Sequence, residues 1–219
     1  MTIVVSIQAR LGSTRLPGKV LLSLGEKRVL EWVIERSVNG CIDRAEVVVA
    51  VGDAPENEAI REFCKRKDQP HATGPESDLL RRHLSVARSD EYETLVRITA
   101  DCPFVPPSEI ERTLQQHLEN DGRYTTNHTE NMPIGTAVDV IDVDVLAELA
   151  QQGHSHPVKP LREDPGDWGT VRTDDEQWTQ FSGAHTAVDT PEDYWTLIDA
   201  IEAVGTDPLA VTKWVHEEH

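Results

Sequence analysis

The stretch Gln8-Ala9-Arg10-Leu11-Gly12-Ser13-Thr14-Arg15-Leu16-Pro17-Gly18-Lys19 interleaves three cations with glycines and hydroxyls. The whole chain has 21 Lys and Arg against 39 Asp and Glu, for a formal net charge of −18, so this basic cluster runs against the composition. It demands an anionic ligand. Guanidinium forks and a lysine point charge neutralise phosphate oxygens, and glycines let backbone N–H groups approach them closely. A triphosphate is the expected occupant. A Walker A loop is the nearest alternative, and it fails on three counts. Five residues instead of four separate Gly12 from Gly18, Pro17 removes an amide donor, and Val20 stands where a magnesium-binding hydroxyl belongs.

Triphosphate chemistry also needs a metal, and the best-placed acids are Asp101 and Asp189. Each follows a short apolar run expected to be a strand, at 94–99 and 185–188. Taken singly, Asp101 reads equally well as a turn residue before Pro103, and Asp189 as a helix N-cap before Thr190-Pro191. Together with the basic loop they suit a hard, oxygen-ligated Mg2+ completed by phosphate oxygens. Asp142-Val143-Asp144 copies a metal-binding DxD motif, but both acids fall where a helix over 145–151 begins, and end-capping accounts for them. His154, His156 and His185 match no zinc spacing, and Ser13, Thr14 and Cys102 have no recognisable paired base, so no covalent nucleophile is expected. Trp168, Trp178 and Trp195 read as core or interface residues.

These residues need elements to position them. Apolar runs at 3–7, 46–51, 69–73 and 94–99 alternate with helical patterns at 29–38, 55–67, 76–88 and 107–119. This succession predicts a doubly wound, mainly parallel α/β sheet in a Rossmann-like three-layer sandwich. Ligands of such sheets sit beyond the carboxyl ends of the strands, so the loops after Ile7, Thr73 and Thr99 should converge on one crevice. Short strands follow at 124–127 and 137–141, then a His-, Pro-, Gly- and Trp-rich tract at 153–183, a strand at 185–188, a helix opened by Pro191, and a closing helix at 208–217. We read one domain over 1–219 with a substrate-side excursion at about 124–183.

The acidic balance excludes a general nucleic-acid binder, and no apolar run is long enough to span a membrane. Cys41, Cys64 and Cys102 are odd in number and far apart, which points to a cytoplasmic protein. The charge excess also suits a salt-rich cytoplasm, as in a halophile.

The segment QARLGSTRLPGKVL resembles the opening motif of the cytidylyltransferase family that includes CMP-Kdo synthetases, above all its spore-coat polysaccharide (SpsF-like) branch. Gly74 to Arg82 is similar to that branch's nucleotide-side segment, Arg97 to Pro103 to its metal strand-end, and Val188 to Asp193 to its late acidic motif. The resemblance covers nearly the whole chain. It implies a nucleotide-diphospho-sugar transferase-like fold and transfer of CMP from CTP to a sugar or sugar acid, with release of pyrophosphate. By it, Arg10, Arg15 and Lys19 hold the β and γ phosphates, Ser13 adds a hydroxyl contact, and Gln8, Ala9 and Gly12 complete the loop. Gly74, Ser77, Asp78 and Leu79 lie against base and ribose, with the choice between Ser77 and Asp78 open, since Asp78 also suits a first helical turn. Asn127, Pro133, Gly135 and Asp139 resemble the acceptor segment. This chain departs from the branch at Ile134 and Ala137, where aspartates are usual, at Asp139, which stands for a glutamate, and at Ala100, which stands for a glycine. The implied partners are CTP and the acceptor, with Mg2+ as cofactor and a homodimer left open. The rival reading is a nucleotide-binding module that has lost catalysis. It leaves unexplained why both the cations and the metal acids are present.

Overall fold

β1 (Ile3–Ala9) is apolar along its length because it pairs on both sides, parallel to β4 (Ala45–Gly52) and to β6 (Thr94–Thr99). The computed structural model of the chain describes residues 2–41, 44–87, 92–120, 122–166 and 168–218. Between β1 and β4 come the two-residue strands β2 (Ser23–Leu24) and β3 (Lys27–Arg28), paired as a small hairpin, and α1 (Val29–Gly40). After β4 follow α2 (Glu58–Arg66), β5 (His71–Gly74) and α3 (Leu79–Ala87), and after β6 come α4 (Pro107–Glu119), β7 (Tyr124–Thr126), β8 (Asp139–Asp142) and α5 (Val143–Gln151). The chain ends through α6 (Lys159–Glu163), β9 (Thr170–Arg172), α7 (Glu176–Thr179), α8 (Pro191–Val204) and α9 (Pro208–Glu218).

The main sheet has seven strands in the order β5-β4-β1-β6-β8-β7-β9. Only β8 runs against the rest, antiparallel to both of its neighbours. Alternate side chains of the sheet feed two cores. Val5 and Ile7 pack with Leu30, Ile60 and Leu114 of α1, α2 and α4, while Val4 and Leu95 pack with Leu84 and Leu146 of α3 and α5. The expected three-layer α/β sandwich is the fold. A third cluster seats α8 and α9 on the outer side of α1 through Leu197, Val211 and Trp32.

Several expected boundaries move, each for a physical reason. Asn39-Gly40 reads as a helix stop, yet α1 runs through Gly40. A Cβ at Gly40 would lie 2.7 Å from the Ile110 Cβ of α4, so this glycine serves close helix approach instead of termination. α3 starts at Leu79, not at 76, because the Asp78 carboxylate accepts from the Arg81 N–H, and the Arg82 guanidinium takes the carbonyls of Pro75 and Glu76. The expected end of that helix at Arg88 lies outside the described residues. The segment 185–188 is not a strand. It makes one bridge, from His185 to Ile134, and Val188 N–H donates to the Asp101 carbonyl, so its backbone groups go to loops instead of the sheet. The tract at 124–183 supplies β7, β8 and β9, which extend the sheet beyond β6.

Candidate active site

The carboxyl ends of β1, β4, β5 and β6 open at one edge, as parallel pairing requires. From β1 the chain folds back on itself through Ser13 and Gly18, whose N–H groups both donate to the Leu11 carbonyl. Gly18 is left-handed (φ 74°), which turns the chain into the short 3-10 segment Lys19–Leu21. The resulting loop contributes Arg10, Gly12, Ser13, Thr14, Arg15 and Lys19 to a cavity of about 530 Å3, and the end of β1 adds Gln8 and Ala9. Glu76, Ser77, Leu79, Arg82, Ser155 and His156 line the same cavity, as do Asp101 and Asp189, and Glu76 Oε1 lies 3.7 Å from Arg10 Nη1 of the loop.

The two acids meet at Lys19. Its Nζ lies 2.5 Å from Asp101 Oδ2 and 2.8 Å from Asp189 Oδ1, and Arg15 reaches Asp189 at 3.0 Å. Burial opposes the Lys19 charge, but Asp101 and Asp189 outweigh it and raise the pKa above that of an ordinary lysine. Burial likewise opposes ionisation of Asp189. Hydrogen bonding and charge from Lys19, with Arg15 and His185 behind, hold its carboxyl below the usual range. Residues separated by 170 positions therefore share one cationic centre. The expected convergence of Asp101 and Asp189 is present, and the side chain between them is Lys19 itself.

A second cavity, of about 830 Å3, opens on the other side of the same acids. Asp101 and Asp189 line both cavities. The second is bordered by Pro133, Ile134 and Gly135 and by three arginines, Arg97, Arg162 and Arg172. Two of these are fixed from behind by Asp139, whose side chain is 1% exposed. Its carboxylate accepts from Arg97 Nη1 at 2.7 Å, Arg162 Nη2 at 2.8 and 3.0 Å, Tyr124 Oη at 2.7 Å and Thr126 Oγ1 at 2.9 Å. Burial alone would favour the protonated acid, but Arg162 and Arg97 reverse this and keep Asp139 ionised far below the usual carboxylate range.

Most residues expected at the nucleotide do line the first cavity, and the departures have local causes. Asp78 is turned away to cap α3 and pair with Arg81, which leaves Ser77 as the cavity residue of the two. Gly74 does not line the cavity; a Cβ there would come within 2.7 Å of the Arg82 Cα, so its role is close packing of α3 on β5. Of the residues expected at the acceptor, Pro133 and Gly135 line the second cavity, while Asn127 and Asp139 are fully buried behind it. Asn127 spends its amide on Glu109, the Thr136 carbonyl and the Val138 N–H. Asp142 bonds His117 and Asp144 pairs with Arg123, which accounts for the DxD pair. Cys102 is buried, with its thiol pKa pushed far up by burial and by Asp101, so it is no nucleophile. Sequence reasoning did not select Arg97, Arg162, Arg172 or His156. Arginine in an acidic chain was the available signal.

Residues 4–201 match the cytidylyltransferase family. Spore coat polysaccharide biosynthesis protein SpsF of Bacillus subtilis (strain 168) is 27% identical over 211 residues, spanning 92% of this chain and 87% of that protein. A 3-deoxy-manno-octulosonate cytidylyltransferase of Idiomarina loihiensis is 34% identical over 150 residues, which are 67% of this chain and 56% of the relative. Among solved structures, a cytidylyltransferase from Leptospira borgpetersenii serovar Hardjo-bovis superposes with a TM-score of 0.86 at 24% identity, covering 97% of this chain and 93% of that one. CMP:2-keto-3-deoxy-manno-octonic acid synthetase complexed with CTP superposes with a TM-score of 0.70 at 20% identity, covering 93% and 99%. At these identities the two structures speak to the fold.

Proposed function

The chain belongs to the cytidylyltransferase family and is a CTP-dependent nucleotidyltransferase, and from that premise we propose that it transfers CMP to a sugar acid for surface polysaccharide synthesis. The observation that carries this reading is the shared wall: Asp101 and Asp189 face a cavity with a cationic loop on one side and an arginine-bordered cavity on the other. Triphosphate in the first and an anionic sugar in the second would bring the acceptor hydroxyl and the α-phosphorus to the same two carboxylates.

In the reaction the hydroxyl oxygen bonds to the α-phosphorus, the bond from α-phosphorus to the bridging oxygen of the β-phosphate breaks, and pyrophosphate departs. Arg10, Arg15 and Lys19 receive the growing charge on the leaving group, and Ser13 adds a hydroxyl donor. Positioning across the shared wall supplies most of the rest. The hydroxyl proton goes to water, because an Asp189 held ionised by Lys19 and Arg15 is a weak base. Arg162 and Arg172 bind the acceptor's carboxylate.

Asp101 and Asp189 fit a divalent cation. Both reach one ammonium nitrogen within 2.8 Å, and an all-carboxylate donor set suits a hard ion. Among the described residues no third acid, histidine or cysteine joins them, so phosphate oxygens would complete the shell. The ion supported by this chemistry is Mg2+, which when bound draws charge from the phosphate oxygens. No described helix is long and apolar enough to cross a membrane, and the three buried free thiols agree with a cytoplasmic setting.

The test is pyrophosphate release from CTP and Mg2+ against a panel of sugar acids and neutral sugars. Release that depends on a sugar acid is the expected outcome. Tight CTP binding with no release across the panel would favour the alternative of a non-catalytic nucleotide-binding module.

A further inference from the structure

Gln8 lines the nucleotide cavity, yet its side chain is tied to the network behind the acceptor cavity. Its Oε1 lies 3.0 Å from Arg97 Nε and 3.3 Å from His83 Nε2. A guanidinium only donates, so the amide oxygen must face Arg97 and the amide nitrogen must face elsewhere. His83 agrees with this orientation. The ring is fully buried and, through burial and the charges of Arg97 and Arg82, held neutral. Its Nδ1 lies 2.8 Å from Ser6 Oγ. With the Ser6 hydroxyl donating to Nδ1, the single ring proton sits on Nε2 and points at the same Gln8 oxygen. Arg97 is in turn anchored by Asp139. Two donors thus saturate Oε1, while Nε2 has no hydrogen-bond partner among the described residues.

The cavity itself places the ligand's ends. Arg10, Arg15 and Lys19 gather on the loop, so phosphates belong there and the base belongs toward Ser77 and Leu79 at the start of α3. Gln8 shares its sheet face with Ser6 and with α3, the helix that Ser77 leads into, through His83 of that helix. A rigid donor therefore stands on the base side.

Resting on the reading that this cavity takes CTP, we propose that Gln8 is the specificity-determining residue, donating Nε2–H to N3 of cytosine and rejecting uracil. Cytosine offers a lone pair at N3, whereas uracil carries N3–H, which would meet the amide proton head-on. Base choice then lies in β1 and its buried partners and not only in the segment 74–79.

Calorimetric titration of CTP and UTP with Mg2+ into the wild type, Gln8→Glu and Gln8→Leu tests this without any acceptor. In Gln8→Glu one carboxylate oxygen keeps the Arg97 bond and the other presents an acceptor to the cavity. The CTP-to-UTP affinity ratio should fall by at least about 30-fold, with UTP binding more tightly than to the wild type. In Gln8→Leu the preference should collapse mainly through weaker CTP binding, and this variant carries the test if the carboxylate variant melts at low temperature. Tight CTP binding with an unchanged ratio in Gln8→Leu would overturn the inference and leave the cytidylyltransferase reading standing. Binding of neither nucleotide by the wild type would overturn both.

Discussion

At the scale of single residues, Asp139 shows how a side chain can govern a site without touching its ligand. Its carboxylate neutralises Arg97 and Arg162, which line the second cavity, and the Arg97 link continues to Gln8 in the first. Removing it leaves two guanidiniums facing each other across a buried space. Asp139→Ala should therefore lose about 3–5 kcal/mol of stability, read from urea denaturation, because breaking a buried pair strands the partner charges. A loss below about 1 kcal/mol would show that Arg97 and Arg162 do not depend on it. The cations of the loop were legible in the sequence, since three of them among glycines oppose an acidic composition. The role of Asp139 was not. It arises because β6 and β8 pair with Arg97 opposite Asp139, a register between segments 42 residues apart that local pattern does not encode.

At the scale of elements, the sequence announced nearly every strand and helix around the nucleotide cavity, and its errors cluster where a residue type has two uses. Glycine is the plainest case. Gly40 and Gly74 mark close approaches, of α1 to α4 and of β5 to α3, and neither has a positive φ. The pattern of a stop signal and the pattern of a packing contact are the same in one dimension. Gly74→Ala would press a methyl group against the Arg82 backbone and push α3 off β5. We expect a loss of about 1–3 kcal/mol in stability. Weaker CTP binding should accompany it, since Ser77 and Leu79 at the start of α3 line the cavity. Unchanged melting and unchanged CTP affinity together would contradict this role. The segment 185–188 misled in a different way: its β-branched and apolar residues suit a strand, but β6, past whose end it runs, is already paired on both sides, and it bridges the loop at Ile134 instead.

At the scale of the whole molecule, the parallel half of the sheet gathers the cationic loop and Asp101 at one edge, and the segment leading into α8 brings Asp189 there from late in the chain. The strands contributed by 124–183 extend that same sheet and place a second, arginine-bordered cavity against the first. Asp101 was legible as the residue beyond the end of β6, whereas Asp189 reaches it by another route than the expected strand: Val188 N–H donates to the Asp101 carbonyl and holds the segment there. That Lys19 would sit between them was not legible, since a loop lysine can reach phosphate or carboxylate equally well. The central claim is that this carboxylate pair holds the divalent cation of the bound nucleotide. The most direct test is calorimetric CTP affinity with and without Mg2+, in the wild type, Asp101→Asn and Asp189→Asn. The account predicts that Mg2+ tightens CTP binding to the wild type by at least about tenfold, or roughly 1.4 kcal/mol, and that each substitution abolishes most of this gain. Full retention of the Mg2+ effect in both variants would contradict it.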